Sequence, residues 1–229
     1  APTIFSEDSE RRQFQNVLPI NDNQNKLEKS YGANIDFTYK TGLFNDQIFL
    51  SINQLFFYTY LKNPLELQAA DNDRWQFTNI DGHVDSKGAE TNMKLTYKDF
   101  GFFLGYTYTD AKVTDNGRTY QKTLTPKHKI NSVLMYEVED KWKIGLEAYY
   151  TAKQNLNDGQ TGKSYLICGL MVQRIWEKFS LYTNFENFTD RRQTRFDTIH
   201  TGSMTKPEFR DIYAPLDGFV LNAGIIIKL

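Results

Sequence analysis

The amino-acid sequence predicts an all-β protein, an antiparallel transmembrane β-barrel segment of about nine up-and-down strands. Three observations support this prediction. Apolar and polar residues alternate with a period of two over runs of 10 to 12 residues, which is typical of strands rather than helices. Aromatic residues make up 15% of the chain, as expected of strands that end at aromatic girdles. Short and long connections alternate along the chain, as they do between the two sides of a membrane barrel.

The alternation is clearest in residues 141–188, where three such runs follow one another. In the first run every second residue is apolar, namely Trp142, Ile144, Leu146, Ala148 and Tyr150. Runs of this length suit tilted strands that cross a bilayer. The complete set of predicted strands is 30–40, 47–61, 74–98, 102–112, 127–138, 141–151, 164–175, 178–188 and 218–229.

The connections between these strands indicate an orientation. Short turns are predicted at 41–46, 99–101, 139–140 and 176–178, and long loops at 62–73, 113–126, 152–163 and 189–217. In outer-membrane barrels the short turns face the periplasm and the long loops face the exterior. Bacterial single-chain barrels close with an even number of strands, and lipid does not tolerate the bare edges of an open sheet. We therefore expect nine strands to be part of a barrel rather than a whole one.

Composition is consistent with such a barrel. The net charge of -1 gives no general attraction to nucleic acid. Mean hydropathy is -0.58, and no apolar run approaches the roughly 18 residues of a transmembrane helix. A low mean hydropathy is nevertheless expected of a membrane barrel, because only alternate residues of each strand meet lipid. The single Cys168 excludes an internal disulfide framework. Residues 1–5 do not resemble a secretory signal, so we expect a mature or, more in keeping with the strand count, a truncated chain.

Six sequence motifs follow one another along nearly the whole chain. The motifs are Ala1-Pro2, Leu27-Glu28-Lys29-Ser30, Asn79-Ile80-Asp81-Gly82 with Lys87-Gly88-Ala89-Glu90, Gly105-Tyr106-Thr107-Tyr108-Thr109-Asp110-Ala111, Pro126-Lys127-His128-Lys129, and Asn184-Phe185-Glu186-Asn187-Phe188-Thr189-Asp190. Their order is more specific than any one of them. In this order they resemble the C-terminal half of a TonB-dependent outer-membrane receptor.

The resemblance implies a 22-stranded barrel, of which this chain supplies the last nine strands. Residues 1–29 are then a polar extracellular loop and residues 30–229 the C-terminal part of the barrel. The plug, and the segment that contacts the TonB complex, are expected upstream of residue 1. The implied function is active uptake, driven by the proton-motive force, of a scarce large nutrient such as a ferric siderophore, haem or cobalamin. The expected location is the outer membrane of a Gram-negative bacterium, with outer-membrane lipid around the wall.

The last loop, 189–217, contains the candidate ligand contacts. Arginine pairs well with carboxylate or catecholate oxygens, aromatic rings stack on planar ligands, and binding residues favour such loops. The alternative is a loop that neutralises itself, because four acidic residues are interspersed: Asp190, Asp197, Glu208 and Asp211. The candidate contacts are Arg191, Arg192, Arg195, His200, Arg210 and Tyr213.

A metal site is a weaker hypothesis. Asp81, His83 and Asp85 alternate on one face of a predicted strand and offer an imidazole and two carboxylates. The alternative is a polar stripe facing the barrel lumen.

No catalytic residue is predicted, because no HExxH, GxSxG or CxxC motif occurs. Residues 157–164 come close to a phosphate-binding loop, but a β run follows instead of the required helix, so no cofactor is expected. Three other classes of protein stay open at this point: a passive porin, a small integral outer-membrane hydrolase and a soluble β-rich binding protein. The last would expose large apolar stripes to water.

Overall fold

The structure of the protein is a computed structural model, which describes residues 17–20, 23–71 and 74–228. Within these residues the chain is mostly strand, and no helix is long and apolar enough to cross a membrane. The elements are β1 (Lys29–Leu43), β2 (Ile48–Lys62), β3 (Leu65–Ala70), β4 (Arg74–Asn79), β5 (Gly82–Tyr97), β6 (Phe100–Asp115), β7 (Arg118–Gln121), β8 (His128–Val138), β9 (Trp142–Thr151), β10 (Gln154–Asn155), β11 (Thr161–Gly162), β12 (Tyr165–Ile175), β13 (Phe179–Glu186), α1 (Gln193–Phe196), β14 (His200–Ser203), β15 (Lys206–Phe209) and β16 (Val220–Ile227).

In the described part of the chain, nine strands form one up-and-down sheet in the order β1-β2-β5-β6-β8-β9-β12-β13-β16, and β7 pairs with β6 beside this path. This confirms the predicted all-β class and the predicted number of strands. The strand pairs from β8 to β16 are antiparallel. As far as the chain is described, β1 and β16 each have a single neighbour in this sheet.

From β8 to β16 the sheet has one apolar and one polar face. Leu134, Leu146 and Leu170 lie opposite one another on neighbouring strands, and Phe185 and Leu221 continue the same row. Leu146 is 43% exposed and Leu221 55% exposed. A continuous band of exposed apolar side chains is expected where a sheet meets lipid rather than water. We call this side the apolar face.

The opposite side, the polar face, carries carboxylates, amides and glycines in the neighbouring rows. Glu147 lies opposite Gly169 on β12, and Asn184 lies opposite Asn222 on β16. The Glu186 carboxylate accepts a hydrogen bond from the Asn222 side chain at 2.8 Å. The period of two that predicted the strands therefore separates two environments in the folded sheet.

The single long strand predicted for 74–98 is wrong. The chain leaves β4 at Asn79 and starts β5 at Gly82, and β4 pairs with β3 instead of continuing the sheet. The Gly82 N–H donates to the Ile80 carbonyl at 2.9 Å, which closes a tight turn. A Cβ on Gly82 would lie 1.7 Å from the Thr114 carbonyl oxygen. The break thus depends on a backbone contact with a residue distant in sequence.

The predicted loops contain hairpins of their own. The loop predicted at 62–73 includes β3, and the loop predicted at 113–126 holds the end of β6 and the whole of β7. Asn116 and Gly117 both have positive φ, 47° and 75°, as a two-residue type I′ hairpin requires. Hence β6 and β7 continue beyond the point where the alternation of apolar residues ends.

The chain forms two compact units. The first comprises Phe57–Lys87, Asp110–Lys122 and the described residues up to Asn34. Its core contains the buried residues Ile80, Val84 and Val113, with Leu61 packed against them. The second unit comprises Ile35–Phe56, Gly88–Thr109 and the described residues from Thr123 onward, and it contains the two-faced part of the sheet.

Candidate ligand-binding site

The connection from β13 to β16, residues 187–219, is called loop B. Its base is closed by Asn187, whose side-chain amide donates to the carbonyl oxygens of Arg191 at 3.1 Å and Asp217 at 3.2 Å. The Asn187 Oδ1 accepts from the Arg191 N–H at 2.9 Å. Asn187 has a φ of 46°, which asparagine tolerates better than most residues. The two ends of loop B are therefore joined close to the sheet.

A buried glutamine organises the interior of loop B. Gln193, the first residue of α1, is fully buried. Its Nε2 donates to the Asp211 carbonyl at 2.8 Å, and its Oε1 accepts from the N–H groups of Tyr213 at 2.8 Å and Ala214 at 3.1 Å. The Gln193 N–H donates to the Pro215 carbonyl at 2.8 Å. One side chain thus satisfies buried backbone groups that would otherwise be costly to bury.

Arg210 joins loop B to the connection from β9 to β12, residues 152–164, called loop A. The Arg210 Nε lies 2.7 Å from Asp158 Oδ2 in loop A, and its Nη1 lies 3.4 Å from Asp197 Oδ1. The Arg210 side chain is only 11% exposed. A backbone hydrogen bond from Gln160, followed by the bond from Arg210, lowers the pKa of Asp158. This arginine is therefore held by protein carboxylates on both sides.

Tyr213 makes the second connection between the loops. Its hydroxyl donates to Asp197 and accepts from the Lys163 N–H at 2.8 Å. Its ring lies directly on Gly162, where a Cβ would come within 2.9 Å of the ring carbon Cζ. Burial, followed by the hydrogen bond to Asp197, raises the pKa of Tyr213 to about 12. Desolvation alone would raise the pKa of Asp197, but hydrogen bonds such as that from Tyr213, with the charge of Arg210, lower it.

Asp190 binds two further candidate arginines. Arg192 Nε lies 2.9 Å from Asp190 Oδ1, and Arg195 pairs with the other carboxylate oxygen. The Phe219 N–H donates to Asp190 Oδ1 at 3.2 Å. Desolvation opposes ionisation of Asp190, but the bonds from Arg192 and Phe219 outweigh it and lower the pKa of this carboxyl. Three of the predicted contact arginines, Arg192, Arg195 and Arg210, are thus paired with aspartates of the loops. This is the arrangement predicted for a loop that neutralises its own charges.

Arg191 is placed differently from the other arginines. Its guanidinium Cζ lies 4.1 Å from the centre of the Phe196 ring, and it forms no ion pair with a carboxylate in the described part of the chain. Phe196 also stacks on Tyr165, with ring centres 6.2 Å apart, and meets Tyr213 edge-on at 6.4 Å. The Lys163 Nζ donates to the Phe196 carbonyl at 2.6 Å. Loops A and B therefore present an aromatic cluster beside Arg191, a cation that no described carboxylate neutralises.

His200 does not join this cluster. It lies at the start of the β14–β15 hairpin, opposite Phe209, and its side chain is exposed. The hairpin exposes Met204 at its tip almost completely, at 99%. The structure brings three of the predicted ligand contacts, Arg191, Arg210 and Tyr213, towards the region that the two loops share. Arg210 and Tyr213 both contact Asp197, and Arg191 contacts Phe196.

The weaker metal hypothesis concerns residues of the first unit. The His83 Nε2 lies 2.9 Å from Asp85 Oδ2, and the Tyr58 hydroxyl donates to Asp85 Oδ1 at 2.7 Å. His83 stacks on Tyr60 with ring centres 4.8 Å apart. Asp81 contributes its backbone carbonyl to a hydrogen bond from Asn116. Among the described residues, no group of three or more His, Cys, Asp or Glu side chains is arranged to hold a metal ion.

A cavity of about 440 Å³ opens on the polar face of the sheet. Glu147 and Glu186 lie on either side of Gly169 at this cavity, and Tyr149, Asn184 and Asn187 are its other polar lining residues. The Tyr149 hydroxyl donates to Glu147 Oε2 at 2.8 Å. No ion pair joins either glutamate to a cation in the described residues. The cavity therefore suits a cationic group more than an anionic one.

Several residues that build this region carry no strong sequence signal. Gln193 and Gly162 act through contacts with residues far along the chain, so no local pattern marks them. Asp158 lies in the glycine-rich stretch that resembles a phosphate-binding loop, and its carboxylate accepts a hydrogen bond from Arg210. Asp197 could be named from the sequence only as one of several neutralising acids.

The TonB dependent receptor-like, beta-barrel family matches residues 4–188 of this chain. The chain therefore belongs to the TonB-dependent receptor β-barrel family, which confirms the resemblance found in the sequence. Members of this family are Gram-negative outer-membrane proteins that act as receptors and transporters, not as enzymes. No curated protein matches the chain.

Solved structures show the same fold. The FrpB iron transporter from Neisseria meningitidis is 13% identical, covers 90% of this chain and has a TM-score of 0.60. The copper transporter OprC is 14% identical, covers 87% and has a TM-score of 0.61. The ferric-catecholate import receptor Fiu from E. coli K12 is 16% identical, covers 76% and has a TM-score of 0.52. This chain spans 31%, 31% and 26% of those three chains.

Proposed function

We propose that this chain is part of the wall of an outer-membrane receptor that actively takes up a scarce large nutrient, such as a ferric siderophore, haem or cobalamin. The energy comes from the proton-motive force through the TonB complex. The observation that carries the proposal is the two-faced sheet. Its row from Leu134 to Leu221 is apolar, and Leu134, Leu146 and Leu221 are exposed in it. The adjacent rows hold Glu147 and Asn184. Such a wall separates lipid from a polar interior.

The orientation follows from the connections. The turns at Asp140 and at 176–178 are short, and loops A and B at the other end are long and bonded to each other. Short turns then face the periplasm and loops A and B face the exterior of a Gram-negative cell. Loops that are rigidly linked can hold ligand-contacting groups in fixed positions, which lowers the entropy cost of binding.

The ligand contact is assigned to the cluster around Phe196. Arg191 has guanidinium donors that pair with no carboxylate in the described part of the chain, and the Tyr165 and Phe196 rings offer flat apolar surfaces beside it. A planar anionic group, such as a catecholate or carboxylate of an iron chelate, fits this combination of charge and stacking. Arg192, Arg195 and Arg210 support the loops instead, because aspartates bind them.

The cavity at Gly169 is assigned to a plug that fills the receptor interior. Glu147 and Glu186 lie on the polar face without cationic partners among the described residues. A lysine or arginine of the plug would enter between them and form charge-assisted hydrogen bonds. Since Gly169 has no side chain to cover the strand backbone, the plug can approach the wall closely there.

Uptake measurements test the proposed function. The receptor is expressed in a strain that lacks its own copy, and accumulation of radioactive iron from a panel of ferric siderophores, and from haem, is measured with and without TonB. We expect accumulation of one ligand class that requires both the receptor and TonB. Uptake that persists without TonB, together with steady conductance in planar bilayers, would identify a passive porin instead. Absence of the protein from the outer-membrane fraction would contradict the proposal altogether.

A further inference from the structure

The apolar face carries one charged residue in a row close to the short turns. Arg174 on β12 lies opposite Trp142 on β9 and Leu181 on β13, and the row continues to Val138 and Ile225. The other four residues of this row are apolar. An arginine facing lipid is unfavourable in the middle of a bilayer and acceptable only close to the headgroups.

The position of Arg174 along β12 agrees with such a location. The residues of β12 on the apolar face are Leu166, Cys168, Leu170, Val172 and Arg174, so Leu170 is the central one. Arg174 lies four residues further on, which is about 10 Å nearer the membrane surface for a strand tilted by about 40°. A long arginine side chain can extend further in the same direction.

Two tryptophans hold the guanidinium group. The Arg174 Cζ lies 4.7 Å from the centre of the Trp142 ring and 5.5 Å from that of Trp176. The Trp176 ring is itself stacked on Phe179 at 4.8 Å. The Arg174 Nη1 donates to the Lys141 carbonyl at 3.1 Å. Both indoles and this carbonyl therefore fix the guanidinium before any ligand binds.

Most of the hydrogen-bonding capacity of this guanidinium is unused. It has five N–H donors, and within the described residues its only hydrogen bond is the one to Lys141. The acidic residues of the adjacent turns, Glu139, Asp140 and Glu177, form no ion pair with it in that part of the chain. Cation–π contacts use the flat sides of the group and leave its edge accessible. The edge fits two oxygens of a phosphate in a bidentate arrangement.

We propose that Arg174, held between Trp142 and Trp176, binds the phosphate of a phospholipid in the periplasmic leaflet. The site fixes one lipid at the junction of β9, β12 and β13 and anchors this edge of the wall at the headgroup level. This inference rests on the proposed function, because it needs the apolar face to lie in the outer membrane.

Native mass spectrometry of the receptor, purified from outer membranes in detergent, tests the proposal. The probes are phosphatidylglycerol and a diacylglycerol with the same acyl chains, which lacks the phosphate. The variants are Arg174→Gln and, as a matched control, Lys178→Gln, which removes a cation in the adjacent turn but outside the tryptophan pair. We expect Arg174→Gln to bind phosphatidylglycerol about tenfold more weakly, the effect of one lost charge-assisted contact, and Lys178→Gln to bind it like the wild type. Diacylglycerol should not distinguish the proteins.

The outcomes separate this inference from the proposed function. Arg174→Lys keeps the charge without the planar fork, so its affinity should fall between those of wild type and Arg174→Gln, and heat-modifiable migration in gels shows whether each variant is folded. Equal phosphatidylglycerol affinity of wild type and Arg174→Gln, in a receptor that still transports its ligand, would overturn this inference alone. Equal losses in Arg174→Gln and Lys178→Gln would also overturn it, since they would indicate unspecific attraction. A receptor absent from the outer membrane would overturn both.

Discussion

Tyr213 donates its hydroxyl hydrogen bond to Asp197, a residue 16 positions earlier in the same loop. The same hydroxyl accepts from the Lys163 N–H, and the Tyr213 ring covers Gly162. One side chain therefore joins loop B to itself and to loop A. With the Arg210 bridge to Asp158, this arrangement makes the two long loops a single platform.

Gly162→Ala should loosen this platform. The new Cβ would lie 2.9 Å from Cζ of Tyr213, so the ring must shift and its hydroxyl bonds must lengthen. We expect faster amide hydrogen exchange in residues 157–163 and 189–215, with the sheet unaffected. Gly145→Ala is the matched control, because the nearest atom to its Cβ is Met171 Cε at 4.0 Å. Identical exchange in both variants would show that the Tyr213 contact does not order the loops.

Alkaline pH should open the same contact. The pKa of Tyr213 is raised from 10.0 to about 12 by burial and by the bond to Asp197. Because the folded pKa lies above the unfolded value, this contribution to stability is complete below pH 10 and is lost as the pH rises through about 12. Protease cleavage within loop B should therefore increase between pH 10 and 12. Tyr213→Phe should be cleaved faster at neutral pH and should lack this alkaline step.

Arg210→Gln should make the loops sensitive to mild acid. The pKa values of Asp158 and Asp197 are lowered in the folded protein, so their contribution is present above the ordinary carboxyl pKa and is lost as the pH falls through the folded values. Without Arg210 both pKa values rise, and loop opening should begin at higher pH in a protease titration. Arg195→Gln is the control for these two carboxyls, because Arg195 pairs with Asp190 rather than with Asp158 or Asp197, and its side chain is 58% exposed and screened by water. An unchanged acid midpoint in Arg210→Gln would contradict the role assigned to this arginine.

The nine sheet strands could be predicted from the sequence because each lies between two environments. An apolar environment on one face and a polar one on the other impose a period of two on the sequence, as at Leu146 and Glu147. The break between β4 and β5 could not be predicted in this way, since it depends on the approach of Gly82 to Thr114. The β6–β7 hairpin is marked locally in the sequence, because the Asn116-Gly117 pair is typical of a two-residue turn. The alternation of apolar and polar residues does not reveal it.

The candidate site was predictable only as a region. Arginines and aromatic residues in one long loop indicate ligand binding, but their partners depend on long-range geometry. Arg195 is nearer to Asp197 than to Asp190 in sequence, yet it pairs with Asp190. Asp197 instead faces the more distant Arg210. Sequence alone therefore cannot separate an arginine that supports the loop from one that is free to meet a ligand.

The two faces of the sheet can be distinguished by a pair of neighbouring substitutions. Leu170→Arg puts a charge on the apolar face near its centre, which costs about 2–4 kcal/mol in a membrane barrel. Met171→Arg puts the same charge at the same depth on the polar face, beside the cavity that Glu147 and Glu186 line. We expect lower outer-membrane yield and a lower unfolding temperature for Leu170→Arg only. Equal tolerance of both substitutions would argue that the apolar face does not meet lipid.

Arg191 and Arg195 allow the proposed ligand contact to be separated from loop support. Arg191→Ala removes a guanidinium that no described carboxylate binds, so the loops should stay ordered while ligand affinity falls. A hydrogen bond to a charged group contributes about 1.5–3 kcal/mol, hence we expect at least a tenfold weaker apparent affinity in competition uptake assays. Arg195→Ala removes a comparable charge that Asp190 already holds, so it should change affinity little. Equal effects on uptake would mean that loop B attracts the ligand by its general charge, and that the cluster around Phe196 is not the contact.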